Sequence, residues 1–284
     1  MLLFKYLSPS GGEKVLQDSK HVSIRFGLPK TYNDPYELFL QTDNNLESEE
    51  LRAFYEHLLG EIPQLPVTCF SRVPDCVPMW AHYAREHTGI CLGFDEDALT
   101  DHFPIAYIDD VTYSEKPAQI PAYAIDFAFT TAKRRHALNA LSAAHRAAYF
   151  IKRTQWQYEY ERRLVVAPAD VQERDSILIA DIDAKALRFI ISGSKATSTL
   201  RKLCETKAQE FGVPHYDLRN GRRTYAPFFV DLNHADVFQW DEGEFRAIAE
   251  VCPECNEPGV IGDDGECVWC SIDPQVLVDA SNRS

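Results

Sequence analysis

Two short cysteine pairs constrain this chain more than any other feature: Cys252-Pro-Glu-Cys255 and Cys267-Val-Trp-Cys270, with eleven residues between them. Two CxxC knuckles at that separation can bring four thiolates to the corners of a tetrahedron around Zn²⁺, at a Zn–S distance of ~2.3 Å. Gly259, Gly262 and Gly265 suit the turns between two short strands, the arrangement of a zinc ribbon. A disulfide framework would need an oxidising compartment, and a redox CxxC does not normally come twice. Four protein ligands leave no open position, so the expected zinc is structural. So short a segment cannot fold on core burial alone, and metal binding would supply its folding energy.

Charge divides the 284 residues at the same place. From Asp241 to Ser284 there are eleven acidic residues and two basic ones, which carry -9 of the formal net charge of -14. The preceding 240 residues are nearly balanced, with 27 basic and 32 acidic side chains. We therefore expect a main domain over 1–240 and an acidic zinc-ribbon module over 241–284. Within the body, the stretch 130–163 holds eight basic residues (Lys133, Arg134, Arg135, Arg146, Lys152, Arg153, Arg162 and Arg163) against Glu159 and Glu161. A nucleic-acid partner could use that stretch, whereas the acidic module would repel one. No uncharged apolar run approaches the ~18 residues of a membrane span, and no secretory leader opens the chain, so a cytoplasmic protein without a membrane partner is expected.

Along the body, segments of strand and helix character mix without a regular βαβ rhythm. Leu2–Leu7, Val22–Phe26, Val67–Ser71, Ile90–Phe94, Arg162–Ala167, Ser176–Ala180, Leu187–Ile191 and Pro214–Leu218 read as strands. Helices are expected over Ser10–Ser19, Leu46–Leu59, Met79–His87, Thr197–Phe211 and the Ala-rich stretch Pro117–Arg153, broken near Thr130-Thr131. The pattern predicts an α+β fold, a mixed sheet with helical insertions, followed by the small four-cysteine zinc-ribbon module.

Several local strings add up to a family. They are Phe4-Lys5-Tyr6, Tyr32-Asn33-Asp34-Pro35-Tyr36-Glu37, Cys69-Phe70-Ser71, Met79-Trp80-Ala-His82-Tyr83 and Gly89-Ile-Cys-Leu-Gly-Phe94, then Trp156-Gln-Tyr-Glu159-Tyr-Glu161-Arg162 and Ile190-Ile-Ser-Gly193. In this order they resemble the bacterial family catalogued as domain of unknown function 2971, over about residues 2 to 215. The resemblance implies no reaction, and the acidic module lies outside it.

Glu159-Tyr-Glu161 is the most suggestive pair, because carboxylates at i and i+2 of an extended chain face one side. A Glu-x-Glu leading into a strand is similar to the catalytic glutamates of one class of ADP-ribosyltransferases. That likeness implies Glu161 as the stabiliser of an oxocarbenium-like transition state and Glu159 as the positioning carboxylate, with NAD as substrate. It also implies Lys5 and Tyr6 as dinucleotide contacts and Ser71 as an orienting residue. The sequence departs from that pattern in having Lys5 where Arg or His is usual and no Ser-Thr-Ser after Phe70. A plainer reading makes both glutamates a surface ladder paired with Arg162 or Arg163, worth under ~1 kcal/mol per pair.

Asp34 and Glu37 sit on a loop of low conformational freedom and either contact ligand hydroxyls or simply fix a turn. Trp80, Tyr83 and His87 share one helical face and suit a core stripe. His82 falls off that stripe and is a candidate ligand contact in a cleft. Ser192-Gly193-Ser194-Lys195 suits a capped helix start, since the P-loop frame is absent. Lys133-Arg134-Arg135-His136 and Arg219-Asn-Gly-Arg222-Arg223 are basic clusters that either face solvent or meet phosphates. Two functions follow: a nucleotide-acting enzyme similar to NAD-consuming ADP-ribosyltransferases, or a non-catalytic module binding nucleic acid or protein.

Overall fold

The computed structural model describes the chain except for residues 39, 42–47, 119, 121, 224, 260–261, 263–264, 274 and 277–284. The chain divides into two compact units, each built from separated stretches. The first comprises Met1–Lys20, Val73–Asp95 and Leu187–Ser284; the second comprises His21–Arg72 and Glu96–Ala186.

In the first unit the strand Leu2–Leu7 runs antiparallel to Ile90–Asp95, which pairs antiparallel with Leu187–Ser192. Leu187–Ser192 lies parallel to His215–Asn220, and a parallel pair needs a crossover. The helix Ser198–Phe211 makes it. Its start is capped by the Thr197 hydroxyl, which accepts from Leu200 N, and Gly212 closes it in the left-handed region at φ 67°. The sheet continues antiparallel through Pro227–Asp231, Val237–Asp241 and Glu244–Ala247. The charge boundary at Asp241 thus falls in a hairpin of this sheet. Phe4, Phe189, Tyr216, Trp240 and Phe245 cluster beside it, with Trp240 meeting Phe4 edge to face. Gly93 makes room for them, since a Cβ there would lie 2.0 Å from the Phe189 ring.

The second unit carries an antiparallel sheet in the order Val67–Ser71, Glu161–Val165, Tyr107–Asp110, and another in the order His21–Phe26, Ile177–Asp183, Gln172–Arg174. Three helices, Glu49–Gly60, Ala122–Thr131 and Arg134–Phe150, pack together through Leu51, Tyr55, Ile125, Ala128, Ala140 and Ala144. The small alanines let helix backbones approach closely. The break between the last two helices comes at Ala132, whose φ of 49° ends the run, beside the Thr-Thr pair where it is expected. The Ala-rich helix also ends earlier than its composition predicts. Ile151–Arg153 is extended and pairs parallel with Thr112–Ser114. The α+β class, with a mixed sheet, is as predicted. Leu46, where the first of these helices is expected to begin, lies outside the described residues; the helix starts at Glu49 after the Ser48 cap.

Candidate functional site

The second unit buries a cluster of charges. Arg163, 0% exposed, projects from the strand Glu161–Val165 and uses all five of its N–H donors. Its Nη1 and Nη2 donate to the two oxygens of Glu37 at 2.9 and 2.7 Å. Nε and Nη2 donate to Glu161 at 2.7 and 3.3 Å, and Nη1 also reaches the Tyr149 carbonyl at 2.8 Å. Lys152 brings the second positive charge: its Nζ lies 2.7 Å from Glu159, 3.2 Å from Glu161 and 3.7 Å from Glu37. The Trp156 ring covers the same ammonium at 4.7 Å.

Three carboxylates therefore share two cations out of water. Burial by itself would raise the Glu161 carboxyl, but Arg163 and Lys152 outweigh it and hold it well below the ordinary glutamate value. Lys152 is shifted upward, because Glu161 and Glu159 more than offset its own desolvation. Glu161 and its two cations are thus charged at neutral pH. Removing bulk solvent from so many charges is costly, and such clusters concentrate at functional sites.

Glu159 and Glu161 do face one side, by a different geometry from the one their spacing predicts. Glu159 ends a 3-10 turn, Tyr160 sits in the left-handed region at φ 44°, and only Glu161 lies in the strand. The kink at Tyr160 turns the Glu159 carboxylate back onto Lys152. The pairing with Arg163 matches the plainer reading in its partner, yet it is buried and not a surface ladder.

Glu37 and Lys152 carry the cluster to the edge of a cavity of about 330 Å³, lined also by Asp34, Tyr36, Lys116 and Arg153 among others; Glu159, Glu161 and Arg163 lie behind them. Asp34 and Glu37, the two acidic residues singled out on the loop, meet here. Asp34 is 4% exposed, and its Oδ1 accepts from Tyr36 N at 2.9 Å, an Asx turn that fixes the loop. Ser71 is buried and stands opposite Glu161 in the antiparallel register. Tyr32 locks the loop to the neighbouring strand through its hydroxyl, which donates to Val67 O at 2.9 Å.

The remaining candidates belong to the first unit. Tyr6 is buried, donates to Val73 O at 2.8 Å and packs edge to face on Trp80. Lys5 lies in the strand opposite Leu92. Trp80 is fully buried and stacks on His87, but the helical stripe the spacing predicts is not formed: the helix ends at His82, and Tyr83 and His87 are only half-buried beyond it. His82 is exposed at the end of the helix Val77–His82. This helix is shorter than expected, because Arg85, Glu86 and His87 all have positive φ and turn the chain toward Gly89.

In the C-terminal segment, one ligand atom from each of Cys252, Cys255, Cys267 and Cys270 falls within a 4.8 Å cluster. Burial would raise the Cys252 thiol, but the amides of Cys267, Cys255 and Glu254 aimed at its sulfur bring it down to about 6. A thiol so lowered is ready to bind a metal as thiolate. The short ribbon strands are not seen among the described residues; a single bridge, Val251 to Pro258, stands in their place. Glu257, 5% exposed, accepts from the amides of Arg222 and Arg223 at 2.7 and 3.1 Å, so the basic cluster 219–223 meets this module.

The basic stretch 130–163 is dispersed by the fold. Lys152 and Arg163 are buried, Arg162 pairs with Glu96 and Asp110, and Arg146 pairs with Asp109. Lys133, Arg134 and Arg135 stay together and exposed at a helix junction. Lys152 and Arg163, the centre of the cluster, were not legible as site residues, because in sequence they look like members of a basic run.

The fold and these sites define an α+β protein with a buried ionic cluster beside a cavity and a four-cysteine cluster that could hold a metal ion. Residues 79–164 match the family described as Protein of unknown function (DUF2971), the family whose strings the sequence resembles. The match takes in Trp80, His82 and the segment Trp156 to Arg163, and so reaches the centre of the cluster. Neither the curated proteins nor the solved structures include a significant match to the chain.

Proposed function

We propose that the second unit binds a nucleotide-type molecule in this cavity and acts on its glycosidic bond, in the manner of NAD-consuming ADP-ribosyltransferases. One observation carries the reading: three buried carboxylates, Glu37, Glu159 and Glu161, against the two cations Lys152 and Arg163, a cluster that reaches a ligand-sized cavity through Glu37 and Lys152. Cleaving an N-glycosidic bond develops positive charge on the sugar, and fixed carboxylates such as Asp34 and Glu37 at the cavity favour that charge in the transition state. Asp34 and Glu37 line the cavity and suit ribose hydroxyls. Glu161, held between Arg163 and Lys152, sets the position of Lys152, and Glu159 shares that task. In this reading Ser71 supports Glu161 from the neighbouring strand, and Lys5, Tyr6 and His82 are further ligand contacts proposed from the resemblance alone.

For the cysteine module we propose a structural zinc ion, supported by four sulfur donors with no open position. A reducing, cytoplasmic setting is part of the same proposal, since thiolate ligands to zinc persist where disulfides do not form. Among the described residues no helix is long and apolar enough to cross a membrane. A second reading, a nucleic-acid or protein-binding module, draws on the exposed Lys133, Arg134 and Arg135 beside exposed Tyr123 and Phe127.

The test is incubation with NAD⁺ and measurement of nicotinamide release by the wild type, Glu37→Gln and Glu161→Gln, each checked for native circular dichroism. Turnover by the wild type with loss in folded variants supports the enzyme. No release by the wild type, together with salt-sensitive oligonucleotide binding lost on reversing Arg134 and Arg135, would favour the binding module.

A further inference from the structure

We propose that the rim of the second unit's cavity recognises a single mononucleotide, with Tyr36 as the stacking platform for its ring and Arg153 and Lys116 as the holders of its 5′-phosphate. This inference rests on the nucleotide reading above and narrows it to a substrate class.

Tyr36 is 51% exposed, yet its backbone is restrained on both sides. Its amide is held by Asp34 Oδ1, and the adjoining Glu37 is anchored by both ends of the Arg163 guanidinium. Exposed aromatic surface gains nothing from solvent, and a ring carried on a restrained backbone loses less entropy when something stacks on it. The Arg153 guanidinium already lies 5.7 Å from the ring centroid, a cation–π pair at the cavity wall. Arg153 thus has its planar group placed where a phosphate attached to a stacked nucleoside would arrive, and guanidinium binds phosphate through two parallel donors.

Lys116 adds a second positive charge on the same wall. Glu115, the acidic residue beside it, accepts a hydrogen bond from the Thr154 hydroxyl and is engaged there. The buried part of the lining holds Asp34 and Glu37 where ribose hydroxyls would bind, with Lys152 3.7 Å from Glu37. Lys152 is already engaged by Glu37, Glu159 and Glu161, so phosphate toward the exposed Arg153 and Lys116, with the sugar toward the buried carboxylates, matches these charges. A cavity of about 330 Å³ lies at the low end of ligand sites, roughly 300–1,000 Å³, with room for one nucleoside and its phosphate. The second half of a dinucleotide would remain outside.

Binding can be followed by the fluorescence of Trp156, whose ring packs on the cavity-lining Lys152, with calorimetry as a second readout. The probes are nicotinamide mononucleotide, NAD⁺, nicotinamide riboside and inorganic pyrophosphate, tested on the full chain. The mononucleotide and NAD⁺ are expected to bind within a few-fold of each other, and the riboside about tenfold or more weakly for want of the charge-assisted contacts. Tyr36→Ala should weaken the mononucleotide by about tenfold or more, as loss of a stacking platform does, while Tyr36→Phe retains it. Arg153→Gln should bring the mononucleotide to the riboside's affinity. Wild-type nucleotide binding that is indifferent to Tyr36→Ala and Arg153→Gln, or NAD⁺ binding about a hundredfold tighter than the mononucleotide, would overturn the rim assignment and leave the nucleotide reading standing. Binding of pyrophosphate as tight as that of the mononucleotide would overturn it too. No binding and no turnover of any nucleotide by the wild type would remove both.

Discussion

Glu37 and Arg163, 126 positions apart in the sequence, are joined by two parallel hydrogen bonds of 2.7 and 2.9 Å in a buried pocket. The pair ties the Asp34–Glu37 loop to the strand Glu161–Val165 and so builds one side of the cavity. Arg163→Met would leave Glu37 and Glu161 with half of their neutralising charge. A loss of about 3–5 kcal/mol in unfolding free energy is expected, measured by urea denaturation. Arg163→Lys should recover little of it, because one ammonium cannot reproduce the planar fork. A variant with wild-type stability would contradict the arrangement.

Lys152 invites a double-mutant cycle with Glu161. Each single change, Lys152→Met and Glu161→Gln, leaves a buried charged group without one of its ion-pair partners. The double variant removes one charge of each sign and should be less destabilised than the sum of the two by about 1–3 kcal/mol. Strict additivity in chemical denaturation would mean the two groups do not interact.

Acid should unfold the protein in two stages. His215 is 1% exposed, and burial holds its imidazole below the ordinary histidine value. The unfolded chain therefore takes up that proton first, and stability falls as pH drops through the ordinary histidine value of about 6.5. Glu161 has a depressed folded value, so its contribution is fully present above the unfolded value of about 4.3 and is lost as pH falls below it. Urea midpoints between pH 8 and 3 check both stages. His215→Gln should reduce the upper stage, to which His87 and His145, also lowered by burial, contribute, and leave the lower one in place.

Tyr160 occupies the left-handed region with a full side chain, at φ 44°. Tyr160→Gly relieves that conformation and should hold or raise the melting temperature. Tyr160→Val, branched at Cβ, should lower stability by about 1–2 kcal/mol. The reverse order in thermal melts would show that the kink does not depend on this backbone conformation.

Metal removal should act on a defined place. About one zinc per chain is expected by elemental analysis, lost in Cys255→Ser. Glu257 links the knuckle to the amides of Arg222 and Arg223, so chelation should raise hydrogen exchange at those amides. Glu257→Ala should raise it with the metal still bound and cost about 1–3 kcal/mol for the orphaned buried donors. Unchanged exchange after complete metal removal would separate the module from that loop.

The sequence by itself determined what depends on neighbours within one or two turns. The cysteine module was legible because its four ligands lie within nineteen residues and metal geometry admits few spacings. The helix Ser198–Phe211 was legible because Thr197 and Gly212 mark its ends with caps that work locally. Asp34 fixing its turn belongs to the same class, since the bond spans two residues.

Only the tertiary structure decided where the charges went. Lys152 and Arg163 stand in a run that looks like a solvated basic face, and burial is a property of the packed sheet and helices, which the run does not encode. The partner of Arg163, Glu37, arrives from a loop 126 residues away, and its bidentate geometry exists only once the strands are in register. Glu159 and Glu161 came together through a left-handed Tyr160, a backbone choice that a two-residue spacing cannot anticipate. Local chemistry is written in consecutive residues, whereas a buried ionic cluster is set by which distant segments exclude water together.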